Sequence, residues 1–282
     1  MDIGASKTVL RSLSGDMAKE DVRVTYGHAE TVDTILECIR EQLQKLVARD
    51  GCFERIAISS APTLGETGVV ERWPNRPDWK GADIGSVVAP FAQGKILWCD
   101  DGVAGTLADA LSNPEQNLLH LVLGSGVGGS VWFNGSVLSN PEFGHVVVNP
   151  NGNTCVCGKR GCLQAYVGGR ALDAAQSEVT NFDNDQWLEQ AAAALGQFGA
   201  DMTSQFNLDK ISLSGGLLKR FPGLLDLAQL KMDKISECRT RRMKISLSPW
   251  GANAPIKGAE LLANLSLIDR DARIYAVQLI AV

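Results

Sequence analysis

The sequence predicts an α/β fold, and two observations carry that prediction. Short apolar runs of strand length alternate with longer stretches of helical apolar spacing. Several of the short runs stop at a glycine turn or a carboxylate, which is where open α/β sheets bind ligands.

In chain order, residues 22–28 (VRVTYGH) alternate as a strand does, and 31–48 place Val32, Ile35, Leu36, Ile39, Leu43 and Leu46 at helical spacing. "RIAISSAP" is a short apolar run that Pro62 ends. "KILWCDDG" at 95–102 is a buried strand that stops at two carboxylates and a glycine. A helix follows, and "LLHLVLGSGVGGSVWFNG" then reads as two strands joined by a glycine-rich turn. Helices are expected over 165–178 and 184–206, and "KISLSGGLL" (210–218) gives a strand, a glycine turn and a helix. "MKISLSP" is a last buried strand, and 255–267 a final helix. No repeat and no Pro/Gly/Ser linker divides the chain. Two lobes would therefore have to exchange the chain within packed structure, near 102–110.

The 282 residues suffice for one large domain or two ordinary ones, and 45% hydrophobic content supports a substantial core. A net charge of -5 argues against nucleic acid or an anionic membrane as the main partner. No apolar run approaches the roughly 20 residues of a membrane span. "MDIGASKTVL" lacks the layout of a secretory signal, so a cytoplasmic location is expected.

Seven cysteines, an odd number in a chain this long, do not make a disulfide scaffold. Cys38, Cys52, Cys99 and Cys238 sit in apolar or helical surroundings and read as small core residues. Cys155, Cys157 and Cys162 in "NTCVCGKRGCL" are different. Cys155 and Cys157 are too close in sequence for a comfortable mutual disulfide. Gly158 and Gly161 permit a tight knuckle that returns Cys162 to them. Reduced core thiols are the alternative, but Asn151, Asn153, Lys159 and Arg160 make the surroundings polar and favour a metal. Structural zinc takes four ligands, and Cys₃His is a standard set.

Three turns look like nucleotide contacts. "DIGASK" offers Gly4 with a hydroxyl, Ser6, and a cation, Lys7. "LGSGVGGS" places Gly124, Ser125, Gly126, Gly128 and Gly129 between strands, where backbone N–H groups can approach a phosphate, although a tight hairpin would need the same residues. Gly215 and Gly216 lead a strand into a helix whose N-terminus favours an anion. None of these is a P-loop or a dinucleotide fingerprint. Asp101, at the end of a buried strand, suits a general base. Capping the helix that starts near Gly102 is a compatible role for it.

"DIGASK", "DDGVAGTLAD", "GSGVGGS", "PEFGH", "CVCGKRGCLQ" and "SGG" follow one another as in the ROK family of sugar kinases, which the chain resembles over nearly its whole length. The resemblance implies a two-lobed actin/hexokinase-like (ribonuclease H-like) ATPase fold with a structural zinc knuckle. It implies a small lobe over 1–105, a large lobe with the zinc site over 106–265, and a C-terminal segment, 266–282, returning to the small lobe. ATP with Mg²⁺ and a sugar are implied in the cleft between lobes, as is a homodimer. Asp101 matches the aspartate of the family's N-D-x-N motif. Asn75 matches an asparagine that bonds a sugar hydroxyl. Glu142 and His145 match E-x-G-H, which binds hydroxyls, and His145 also becomes the fourth zinc ligand beside Cys155, Cys157 and Cys162. The zinc would hold Glu142 and Gln164 in place for the substrate.

The departures bear on specificity. Asp100 and Val103 replace the two asparagines of that motif, Gln164 replaces a glutamate, and Ala61 replaces a glycine. One carboxylate is added to the expected pocket and one removed, and an added carboxylate favours an ammonium. The expected substrate is an amino sugar such as kanosamine, or a C7 cyclitol such as a valiolone, phosphorylated on a primary hydroxyl. An ordinary glucokinase or N-acylmannosamine kinase, or a catalytically silent sugar-binding regulator, are the alternatives. Family members also carry apolar residues before the first turn, whereas here Met1 abuts Asp2. Either the true start lies upstream of Met1 or that first strand is missing, and the strand-like "RIYAVQLIAV" (273–282) is a candidate to stand in for it.

Overall fold

The structure is a computed structural model that describes residues 1–15, 17–27, 29–73, 76–112, 117–138, 142–178, 181–235, 243–264 and 278–280. The chain opens with β1 (Asp2–Ile3), β2 (Lys7–Leu10), β3 (Leu13–Ser14), β4 (Met17–Ala18) and β5 (Val22–Thr25). Then come α1 (Val32–Asp50), β6 (Ile56–Ser60), β7 (Thr63–Leu64), β8 (Val70–Arg72), α2 (Ile84–Val88), β9 (Ile96–Asp100) and α3 (Asp101–Ala110). Next are β10 (Leu118–Leu123), β11 (Val127–Phe133), β12 (Ser136–Val137), α4 (Gln164–Val167), α5 (Gly169–Glu178) and α6 (Asn184–Phe206). The order ends with β13 (Lys210–Ser214), α7 (Leu217–Arg220), α8 (Leu224–Ile235), β14 (Ile245–Leu247), α9 (Ala254–Asn264) and β15 (Gln278–Ile280). No helix among the described residues is long and apolar enough to cross a membrane.

Two compact units divide the chain: 1–104 with 255–282, and 105–254. From Pro255 onward α9 belongs to the first unit. Its Gly258 explains why: a Cβ there would lie 1.9 Å from the Ala104 carbonyl oxygen, so only glycine lets α9 pack this closely.

The first unit holds a six-stranded sheet in the order β15-β9-β6-β1-β2-β5. β1, β6 and β9 are parallel, with Asp2 opposite Ser59 and Ser60 opposite Asp100, so their carboxyl ends align. The expectation for the C-terminal tail is corrected here. A first strand does form, as the two residues of β1 between β2 and β6. The tail strand β15 instead pairs antiparallel with β9 at the far edge. α1 covers this sheet with Ile35, Ile39, Leu43 and Leu46, one buried stripe at spacings of three and four. Thr31 caps its start by accepting the Thr34 amide hydrogen, and Gly51 ends it at φ 82°.

The second unit holds a five-stranded sheet in the order β12-β11-β10-β13-β14. β10, β13 and β14 are parallel, and β11 returns antiparallel to β10. α6 packs on α8 at Gly196, where a Cβ would come within 2.8 Å of the Met232 nitrogen.

One helix is expected over 165–178, but the structure breaks it at Gly168, whose ψ is 131°. A Cβ there would lie 2.6 Å from the Gln164 carbonyl oxygen. Tertiary hydrogen bonds made by the next two amides override the helical pattern, as the site shows. The cysteines divide as well: Cys99 is buried, but Cys38 is half-buried and Cys52 exposed, against the core expectation, and Cys238 lies outside the described residues.

Candidate active site

Strand β9 delivers two carboxylates to its end. Asp100 Oδ1 accepts the Gly102 amide hydrogen over 2.8 Å, so Asp100 caps α3. The Gly102 amide also acts on the Asp101 carboxyl, so the two neighbouring carboxylates share the start of α3. Asp101 itself is half-buried. Burial holds its carboxyl well above the usual carboxylate range, the charges of Asp100 and Asp2 push the same way, and the Gly102 amide opposes them. Asp2 is buried too, and desolvation raises its pKa against the pull of the terminal amine, Ser59 and Lys7. A carboxylate of raised basicity is what a proton acceptor for an alcohol needs. Val103 is 1% exposed and belongs to the core, so it offers no polar group to a ligand. Asn75 lies outside the described residues.

The first glycine turn, residues 4–7, is held from behind. The Tyr26 hydroxyl donates to the Gly4 carbonyl over 2.7 Å, the Arg76 guanidinium to the Ala5 carbonyl over 3.0 Å, and the Tyr26 amide to the Ser6 carbonyl over 3.0 Å. The Lys7 carbonyl accepts from the Gly4 amide over 2.9 Å. Every carbonyl of the turn is thus occupied within the unit. A phosphate approaching it meets engaged oxygens rather than a row of bare negative dipoles. Ser6 is exposed and Lys7 half-buried. Sequence reading missed Tyr26 and Arg76, because nothing local marks a tyrosine or an arginine as the brace of a turn 22 or 71 residues away.

In the second unit the glycine turn between β10 and β11 spans only 124–126. Gly128 and Gly129 belong to β11, opposite Val122 and Leu121, which corrects their placement in the turn. Gly129 is required for packing, since a Cβ there would meet the His120 carbonyl oxygen at 2.4 Å. The carbonyls of the true turn are again engaged. Gly124 accepts from the Gly169 amide over 2.8 Å, Ser125 from the Arg170 amide over 2.9 Å, and Gly126 from the Gly124 amide over 3.0 Å. The first two bonds are what start α5 afresh after Gly168. Gly215, at φ 108°, follows β13 and lies against the end of β10, where a Cβ would come within 2.2 Å of the Leu123 carbonyl oxygen. Gly124 and Gly216 have nothing within 4 Å of a built Cβ, so close packing does not require glycine at either position.

Ligand atoms of His145, Cys155, Cys157 and Cys162 all lie within 4.8 Å of one another. Cys157 and Cys162 sulfurs are 3.7 Å apart, and Cys155 Sγ is 3.5 Å from His145 Nδ1. Tetrahedral zinc with ordinary bond lengths would set such pairs about 3.8 and about 3.6 Å apart, so these two pairs already match a zinc site and the set of four could hold a metal. The other ring nitrogen of His145, Nε2, faces Glu142 Oε2 at 4.0 Å. Glu142 sits in the left-handed region at φ 50°, a strained placement for a non-glycine residue. Gln164 Oε1 accepts the Val127 amide hydrogen over 3.0 Å, so this side chain ties α4 to the start of β11. A cavity of about 700 Å³ elsewhere in the first unit, beside Met1, Leu10 and Ala57, where β2 and β6 run on past β1, is lined by none of the expected site residues.

The sequence matches the ROK family over residues 1–265. It is 26% identical to a kanosamine kinase of Amycolatopsis mediterranei, over 94% of this chain and 95% of that protein. It is 26% identical to an N-acetylmannosamine kinase of Haemophilus influenzae, over 84% of this chain and 87% of that protein. A solved ROK hexokinase from Thermus thermophilus superposes with a TM-score of 0.78 at 24% identity, covering 95% of this chain and 98% of the other, which shows a shared fold.

Proposed function

Because the chain belongs to the ROK family, we propose that it is an ATP-dependent kinase that phosphorylates a primary hydroxyl of a modified hexose or cyclitol. The observation that carries this reading is Asp101, a half-buried carboxylate where β9 passes into α3, its basicity raised by burial and by the charges of Asp100 and Asp2. Asp101 takes the proton of the attacking hydroxyl as the oxygen bonds to the γ-phosphorus and the bond to ADP breaks. The braced turn at Gly4, Ser6 and Lys7 and the turns at Gly124–Gly126 and Gly215–Gly216 receive the nucleotide. Mg²⁺ bound with the nucleotide would neutralise phosphate charge.

Zinc at His145, Cys155, Cys157 and Cys162 is structural in this reading, with all four positions filled by protein. Through His145 it fixes the ring beside Glu142, and Asn75, Glu142, His145 and Gln164 contact the sugar. A kanosamine-like amino sugar, or a C7 cyclitol such as a valiolone, is the substrate class we favour. Asp100 supports it as a carboxylate with one oxygen on the helix cap and a charge that suits an ammonium. The likeness to a kanosamine kinase points the same way. A homodimer belongs to this reading on family resemblance alone, and sedimentation tests it.

The test is ADP release from ATP and Mg²⁺ with glucose, mannose, N-acetylmannosamine, kanosamine and C7 cyclitols. The favoured class requires the highest kcat/KM on an amino sugar or cyclitol. A preference for glucose over all of them refutes it.

A further inference from the structure

We infer that Asp109, His120 and Ser214 form a buried positioning relay that sets the nucleotide turn following β13, an inference that rests on the kinase reading above. Asp109, on the last turn of α3, accepts from His120 Nδ1 over 2.9 Å and, through its other oxygen, from the Ser248 hydroxyl over 2.7 Å. The Ser212 hydroxyl donates to the same oxygen as His120. His120 Nε2 then shares a hydrogen bond of 2.9 Å with the Ser214 hydroxyl. Asp109 is an ionised acceptor, its pKa held down by these donors against burial. That orients the His120 ring, with Nδ1–H toward Asp109 and Nε2 toward Ser214.

The order of residues is that of a hydrolytic triad, but His120 is 0% and Ser214 1% exposed, so neither reaches a substrate. What the array does touch is the start of two turns. Ser214 is the last residue of β13, and the next residue, Gly215, abuts the Leu123 backbone just before the turn at Gly124. A bond on the Ser214 side chain therefore fixes the strand end from which the Gly215–Gly216 amides are presented. Space for the ring is reserved on α3 by Gly105, where a Cβ would come within 2.7 Å of His120 Nε2. Three strands, β10, β13 and β14 through Ser248 just beyond it, are anchored on one carboxylate. The Ser214 arm is the one that leads into the Gly215–Gly216 turn, whereas the Ser248 arm leads into a turn closed by the Gly251 amide.

Calorimetric binding of a non-hydrolysable ATP analogue with Mg²⁺ to the full chain tests the relay, with steady-state kinetics alongside. Ser214→Ala weakens nucleotide binding and raises KM for ATP by about fivefold, the loss expected for one buried hydrogen bond, and leaves kcat at saturating ATP within about twofold. His120→Phe keeps the ring volume, removes both bonds and reproduces that split. Ser212→Ala removes a hydroxyl from the same carboxylate in mid-strand and leaves nucleotide affinity within about twofold. Equal nucleotide affinity in Ser214→Ala and wild type, or equal losses in Ser212→Ala and Ser214→Ala, overturns the relay and leaves the array a structural one. A wild-type chain that binds no nucleotide overturns the kinase reading and the relay together.

Discussion

The Asp100 carboxylate accepts the Gly102 amide hydrogen over 2.8 Å, which makes the neighbour of the proposed base a cap of α3. Asparagine caps a helix about as well as aspartate. Asp100→Asn therefore keeps the melting temperature within a few degrees and removes only the charge. The expected result is a fall in kcat/KM for an amino sugar relative to glucose. Paired measurements on kanosamine and glucose check it, and an unchanged ratio removes Asp100 from the specificity argument.

Asp101 links activity and stability with opposite signs. Its folded pKa lies above its unfolded value, so the fold binds a proton that the unfolded chain releases. The stabilising contribution is present below the unfolded value and lost as pH rises through the folded one. Activity rises over that same interval, because the base must be ionised. Asp101→Asn should melt higher than wild type at neutral pH, and the difference should vanish in acid. Thermal melts of both proteins from pH 4 to pH 8 read this directly. A variant that melts lower at neutral pH would show that the carboxylate is stabilised in the fold.

Two adjacent glycines separate packing from ligand space. Gly215→Ala forces a positive φ and a 2.2 Å approach to the Leu123 carbonyl, and should cost about 3 kcal/mol or more of stability. Gly216 begins α7 at φ -71° with open space around it. Gly216→Ala should melt like wild type and bind nucleotide at least about tenfold more weakly, a steric effect of the methyl group on a close approach. Melting and binding curves for the pair decide it. Normal binding by Gly216→Ala would place the nucleotide elsewhere.

The Cys₃His cluster should hold about one zinc per chain by elemental analysis, in line with its four ligands. Cys155→Ser should release that metal, lower the melting temperature and raise KM for the sugar more than KM for ATP. The reason is that His145 then loses its fixed orientation beside Glu142. Purified protein free of zinc, with full activity, contradicts the assignment.

How much of this could be read in advance depended on whether the signal was local. The apolar stripe of α1 and the strands ending in Asp100 and Ser214 are written in adjacent residues, and they appear where the periodicity puts them. The cysteine knuckle is equally local, because glycines at 158 and 161, both at positive φ, turn three thiols onto His145. What stayed hidden depends on tertiary partners. Gly168 reads as one more helical residue until the Gly169 amide is seen to bond Gly124. Gly128 and Gly129 look like turn residues and prove to be strand residues chosen for close packing. Tyr26, Arg76 and His120 carry no motif at all, and their roles exist only in the bonds they make across the fold.

The most direct test of the central claim is formation of a phosphorylated sugar from ATP and Mg²⁺, followed by ³¹P NMR for wild type and Asp101→Asn side by side. The account predicts a sugar phosphomonoester with wild type on at least one amino sugar or cyclitol. It also predicts a rate lower by about 10²–10⁴ in the variant, which should still bind nucleotide. Equal turnover by the two proteins would remove Asp101 as the base. Nucleotide binding without product on any sugar or cyclitol would mark a binding protein on a kinase fold.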